Sequence, residues 1–85
     1  MNQSPNPEII PLNKITPGTH AKIVGLKATG LLLQRLLAMG FTRECEIKMV
    51  KRAPLGDPIQ FRVRGSAVSL RSSEAALVLV TVPYN

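Results

Sequence analysis

Residues 56–65 read GDPIQFRVRG, and the alternation inside that stretch decides how the chain folds. Ile59, Phe61 and Val63 fall on one side, with Gln60, Arg62 and Arg64 on the other. A period of two with one apolar side is the pattern of a strand that buries one face. A turn precedes it. Pro54 and Gly56 take the second and fourth positions of a type I turn that starts at Ala53, and Asp57, lying before Pro58, is pushed into an extended conformation. Upstream, CEIKMVKR (45–52) alternates as well, with Cys45, Ile47 and Met49 on a common face. The two runs form a hairpin. If both apolar faces meet one core, paired residue numbers sum to an even number. A sum of 110 sets Met49 opposite Phe61, Ile47 opposite Val63 and Glu46 opposite Arg64, an attractive cross-strand pair. A sum of 112 sets Lys51 against Phe61 and loses the ion pair, so 110 is the expected register.

Working outward, AKIVGL (21–26) alternates as a strand, after a turn at TPGTH (16–20) where Pro17 presets φ and Gly18 allows positive φ. ATGLLLQRLLAMGF (28–41) has a different period. Leu32, Leu33, Leu36 and Leu37 recur at helical spacing, with Gln34 and Arg35 opposite. Thr29 suits the N-cap. Gly40 suits a left-handed residue past the helix end, and Phe41 is placed to fold back on the last turn. A helix of about ten residues is too short to hold alone and must pack on the sheet. Beyond the hairpin, Gly65 and Ser66 turn the chain, AVSL (67–70) is a short strand, SSEAAL forms a helical turn capped by Ser72 or Ser73, and LVLVTV (77–82) closes the fold. MNQSPNPEIIP has three prolines in eleven residues and reads as a flexible N-terminal arm over 1–11, leaving 12–85 as the folded domain.

A chain of 85 residues makes one domain, and at this size only about 60–65% of the unfolded surface is buried, so the core must be aliphatic and compact. The apolar fraction of 45% excludes a disordered chain. The longest apolar runs, 31–33 and 75–80, fall far short of the about 20 residues of a membrane span, and no signal peptide is visible. One cysteine excludes an internal disulfide and fits a reducing cytoplasm. The net charge of +6 favours acidic partners, although charge of this size is also an ordinary solubility device. Five short strands with tight turns protect their edges by curling into a small barrel, and the helix is placed to cover one open end.

The runs LLQRLLAMGF and IKMVKRAPLGDPIQFRVRGSAVSLRSSEAALVLV closely resemble the small bacterial ferrous-iron transport accessory proteins, the A component of the Feo system. The likeness extends from about Leu12 to Val82. Its most specific parts are MGF after the helix, APLGDPI, and the run from Gly65 to Ala75. The resemblance implies a mainly β, SH3-like barrel with one short α-helix and a helical turn inserted between strands. It also implies a cytoplasmic partner of the ferrous-iron permease, a membrane protein with a G-protein domain. One departure is local: the family often carries Pro-Gly-Thr after Gly-Phe-Thr, and this chain has Arg43-Glu44-Cys45.

Candidate chemistry is sparse. His20 is the only histidine and Cys45 the only thiol, GLKATG lacks the lysine-serine ending of a phosphate loop, and no catalytic constellation is supported. His20, Glu44, Cys45, Glu46 and Asp57 are the donors available to a metal, without C-x-x-C or H-x-x-x-H spacing. No cofactor is required by this set; adventitious zinc, shared between two molecules, is the metal chemistry it suits. Lys48, Lys51, Arg52, Arg62, Arg64 and Arg71 are candidates for one basic side, but no aromatic joins them for base stacking, so nucleic acid is not the expected partner. The helix carries more leucines than one face buries. Leu31, Leu32, Arg35 and Leu55 are the expected contact residues for a permease partner, with room for a weak homodimer. On this reading the Gly-Asp-Pro turn sets the hairpin register and holds a rigid loop.

Overall fold

The computed structural model of the chain describes residues 8–82. Six strands form one antiparallel sheet: β1 (Ile9–Pro11), β2 (His20–Leu26), β3 (Glu46–Arg52), β4 (Ile59–Val63), β5 (Ser66–Leu70) and β6 (Val78–Thr81). A 3-10 turn at Leu12–Lys14 follows β1. Helix α1 (Gly30–Ala38) joins β2 to β3, and the single turn α2 (Ser72–Ala75) joins β5 to β6. The spatial order is β1-β6-β2-β3-β4-β5, a barrel-like sheet whose end strands, β1 and β5, do not pair within the described residues. This is the expected fold class, without strict closure.

The hairpin register is the expected one where the core is made. Ile47 lies opposite Val63 and Met49 opposite Phe61, and all four are buried. A bulge between Met49 and Lys51 then shifts the pairing, so that Lys51 meets Gln60 and Arg52 meets Ile59. The turn closes with the Gly56 N–H donating to the Ala53 carbonyl at 2.8 Å, and the Asp57–Pro58 bond is cis. The expected Glu46–Arg64 ion pair does not form. Arg64 leaves the strand conformation at φ 52, and its guanidinium reaches Thr42 Oγ1 at 3.0 Å instead.

The core gathers Leu12, Ile23, Leu36, Phe41, Ile47, Met49, Ile59, Phe61, Val63, Leu70, Val78 and Val80, with Ile15 and three alanines beside them. Strands β2, β3, β4 and β6 contribute alternate residues, as a sheet with one buried face requires. In β2, Ala21 and Ile23 point inward and Lys22 outward. Helix α1 spans nine residues inside the expected 28–41 window. Thr29 sits at its N-cap position, but its hydroxyl makes no capping bond. The C-terminus ends as expected: Gly40 is left-handed (φ 100), its N–H bonds Leu37 O at 3.1 Å, and the Phe41 N–H bonds Leu36 O at 3.0 Å, a Schellman closure.

Three expectations are corrected. The helical spacing sets Leu37 on the apolar stripe that packs on the sheet, but of its four leucines only Leu36 is fully buried. Leu32 and Leu33, one turn back, flank it half-buried, whereas Leu37 is rotated about 100° onward and is 44% exposed. The arm does not extend through residue 11: Ile9–Pro11 pairs with β6, because two isoleucines supply strand formers and Pro11, with no N–H to offer, stands at the end of an edge strand. Residues 1–7 of that arm lie outside the described residues. Finally, α2 is not capped by Ser72 or Ser73. Asp57 Oδ1 accepts the Ser72 N–H at 2.7 Å and Glu74 Oε1 accepts the Arg71 N–H at 3.0 Å.

Candidate functional site

The side chains of chemical interest divide between the two ends of the β3–β4 hairpin. At the end away from the 53–58 turn, an open depression of about 580 Å³ is lined by His20, residues 43–48, Arg62, Arg64 and Gly65. Strand pairing assembles its floor. His20 of β2 lies opposite Lys48 of β3, and Lys48 lies opposite Arg62 of β4, so three polar side chains stand in one row on the outer face. The depression carries four cations, Arg43, Lys48, Arg62 and Arg64, against two carboxylates, Glu44 and Glu46, a net charge of +2 with His20 neutral.

Three of those cations, all exposed, each make a hydrogen bond within the protein. Arg43 Nε donates to Val24 O at 3.0 Å, Arg62 donates to Gly65 O at 3.1 Å, and Arg64 donates to Thr42 Oγ1 at 3.0 Å. The seat of Arg64 depends on Gly40. A Cβ at Gly40 would stand 3.1 Å from Arg64 Cδ and 3.3 Å from Val63 Cγ1. The absence of that carbon lets the arginine stem cross the end of α1. The only two non-glycine residues with positive φ among the described ones, Glu44 (φ 71) and Arg64, both line the depression. Such backbone costs on the order of 1–3 kcal/mol each and persists only where the surroundings hold it.

Arg43 also borders a second, apolar groove of about 420 Å³, lined by Gly25, Leu26, Leu37 and Thr42. Leu37 on this groove, Leu31 at the start of α1 (78% exposed) and Leu55 at the hairpin turn (98% exposed) are the prominent exposed leucines. Leu32 is half-buried against the core, so of the two neighbouring helix leucines expected in a contact only Leu31 is exposed. Arg35 pairs with Glu74 of α2 at 3.6 Å.

Of the five expected metal donors, His20, Glu44, Cys45 and Glu46 line the one depression. Even so, no three His, Cys, Asp or Glu side chains among the described residues converge to hold a metal ion. Glu44 turns to Lys22 at 3.8 Å, and the Cys45 thiol is directed at the Glu46 carbonyl. Asp57 is away from this group, at the start of α2. The expected basic side also divides. Lys48, Arg62 and Arg64 share the depression, whereas Arg52 is turned onto the carbonyls of Asn13 and Ile15 and Arg71 stands at the start of α2. Arg43 had no place in the expected set. It lies in a loop, and nothing local marks it as a neighbour of β4.

Residues 10–82 match the family model described as the FeoA domain. The chain belongs to the FeoA family. A Porphyromonas gingivalis protein described as a fusion of Fe(2+) transport protein A and the Fe(2+) transporter FeoB is 38% identical over 69 residues, which cover 81% of this chain and 8% of that protein. The solution structure of iron(II) transport protein A from Clostridium thermocellum is 40% identical with a TM-score of 0.83, covering 86% of this chain and 45% of that one. The Stenotrophomonas maltophilia FeoA crystal structure, a complex with zinc described as a prokaryotic SH3 domain protein, is 30% identical with a TM-score of 0.72, over 81% of this chain and 86% of that one. The FeoA fold here is thus SH3-like, as the resemblance implied. The sequence departure at Arg43-Glu44-Cys45 also finds its physical form: Glu44 takes a left-handed conformation where the FeoA pattern often places glycine. Among the described residues of this FeoA chain, no helix is long and apolar enough to cross a membrane.

Proposed function

We propose that this FeoA chain is a non-catalytic accessory protein of ferrous-iron uptake that docks, on the cytoplasmic side, on the G-protein domain of a FeoB-type permease. The observation that carries the reading is the fusion relative, in which a segment 38% identical to this chain shares one polypeptide with an Fe(2+) transporter. Covalent linkage puts two partners at high effective concentration, an arrangement that favours domains which touch. The surface agrees with it. Exposed Leu31, Leu37 and Leu55 provide apolar anchors, and the arginine-rich depression beside Leu37 provides a charged rim. The reading calls on no required metal, and the zinc complex belongs to the Stenotrophomonas maltophilia relative. A structural zinc site takes four ligands, and among the described residues no three donors come together in the depression, so zinc bound here would be shared between molecules.

The test is a titration of the permease's purified cytoplasmic domain against the full chain and against Leu31→Glu. The expected result is saturable binding by the unaltered protein, weakened about tenfold or more by the glutamate, because a carboxylate is costly in an apolar contact and harmless in water. The melting temperature should not change. No binding by the unaltered chain overturns the reading. Unchanged binding by Leu31→Glu removes the start of α1 from the contact.

A further inference from the structure

We propose that the depression between β2, β3 and the β4–β5 turn is a receptor for an acidic peptide segment, whose carboxylates are taken by Arg43, Arg62, Arg64 and Lys48. As a statement about the partner this rests on the docking reading above, and it assigns the segment to the permease's cytoplasmic region.

Unbalanced charge is the first argument. The ion pairs among the described residues are Lys22–Glu44 and Arg35–Glu74, and neither uses any of the four cations. Lys48 and Arg62 are directly opposite each other across the β3–β4 ladder, a like-charge pair that is destabilising until an anion joins them. Spare donors are the second argument. Arg43, Arg62 and Arg64 each use one hydrogen bond to a protein oxygen, and a guanidinium has five N–H donors. The remaining donors stand on exposed side chains, and the planar guanidinium fork is the geometry that takes a carboxylate through two parallel bonds. Gly40 leaves room for the Arg64 stem across the end of α1, and Arg64 itself is left-handed at φ 52.

Peptide is favoured over nucleic acid by the lining itself. No Phe, Tyr or Trp side chain lines the depression, and His20 is the single ring there, so successive bases would find no stacking platform. Glu44 and Glu46 oppose a continuous phosphodiester, whereas a peptide can space its carboxylates between them. A volume of about 580 Å³ is in the range that accommodates a small ligand or a few side chains.

The experiment uses the isotopically labelled full chain and a capped hexaglutamate peptide, with oligothymidine of six nucleotides as the competing probe. The expected result is that hexaglutamate shifts the backbone resonances of Cys45, Lys48 and Gly65 and the side-chain Nε–H of Arg43, Arg62 and Arg64. Its affinity should fall about fivefold or more in the double variant Arg62→Gln/Arg64→Gln and rise in Glu46→Gln, since these changes move the local charge in opposite directions. Hexaglutamate shifts that lie elsewhere, or that persist at equal affinity in a folded double variant, overturn the proposal. Tighter binding of oligothymidine to the same residues overturns it in favour of nucleic acid. The permease arm separates the two readings. If the unaltered chain binds hexaglutamate at the depression but not the permease domain, the acidic-segment site stands and its assignment to the permease fails. If the double variant still docks on the permease as tightly as the unaltered chain, docking stands and this use of the depression fails.

Discussion

Gly56, at one end of the β3–β4 hairpin, takes φ 94 with nothing within 4 Å of where its Cβ would stand. Gly40 takes φ 100 against the other end, beneath Arg64 and beside Val63, where a Cβ would come within 3.1 Å of a neighbour. The backbone device is the same and the surroundings are opposite. The 53–58 turn is tied only at its base. Ala53 N–H bonds Pro58 O at 3.0 Å, and Asp57 reaches α2, while Leu55 at the tip touches water. The far end is a junction where the C-terminus of α1, the 42–45 loop and the β4–β5 turn meet through Arg64 and Thr42. A left-handed residue in open space records a local turn. One under a neighbouring side chain records a packing decision as well.

The largest effect is therefore expected at Gly40. Gly40→Ala meets two costs together. An L residue in the left-handed region costs about 1–2 kcal/mol, and the overpacking against Val63 and Arg64 costs about 1–3 kcal/mol more. For a domain of this size, that is a drop in melting temperature on the order of 10–40 °C. Thermal unfolding followed by circular dichroism measures it. A loss no larger than that of Gly56→Ala would mean that Arg64 moves aside freely and the junction is not packed.

The contrast between the ends also explains what could be read from the sequence. The register of Met49 against Phe61 was legible because four alternating apolar residues on two adjacent strands admit few pairings that bury all of them. The Schellman end of α1 was legible because Gly40 and Phe41 follow the leucine stripe directly. The departure of Arg64 from the strand was not, since it extends an unbroken alternation and only its tertiary bond to Thr42 turns it away from Glu46. Strand β1 was hidden for a related reason: three residues ending in proline form a strand only because β6 is there to pair with them. The depression draws on His20, the 43–48 segment and the β4–β5 turn, and no local period links segments so far apart. Asp57 reads locally as a turn residue, and its bond to Ser72 spans fifteen positions.

Gly56→Ala is expected to have the middle effect. With open space around the new carbon, only the conformational cost remains, about 1–2 kcal/mol. The comparison sharpens if Gly56→Asn is measured beside it, because asparagine tolerates the left-handed region better than alanine. Asparagine should recover part of the loss at Gly56. It should recover little at Gly40, where the obstruction is steric contact with a side chain. Equal recovery at both positions would erase the distinction between the ends.

The smallest effect on stability belongs to Leu55, and there the same contrast bears on function. Leu55 is 98% exposed at the tip of a turn whose hydrogen bonds all lie below it. Replacing it by serine removes no buried contact, so Leu55→Ser should change stability by no more than about 0.5 kcal/mol. A large apolar side chain carried almost fully exposed on a hydrogen-bonded turn is placed to be buried by something else. Fully burying a leucine side chain is worth about 1.5–3 kcal/mol, so its loss from a contact weakens binding about tenfold or more. Leu55→Ser should therefore reduce docking on the permease's cytoplasmic domain while leaving the melting curve in place, the reverse of Gly40→Ala measured on stability. If melting falls by more than 1 kcal/mol equivalent, on the scale of an ordinary core loss, the tip supports the hairpin and the contrast is wrong. If neither stability nor docking changes, the turn end contributes only its hairpin register, and the docking surface lies wholly along α1 and the arginine-lined end.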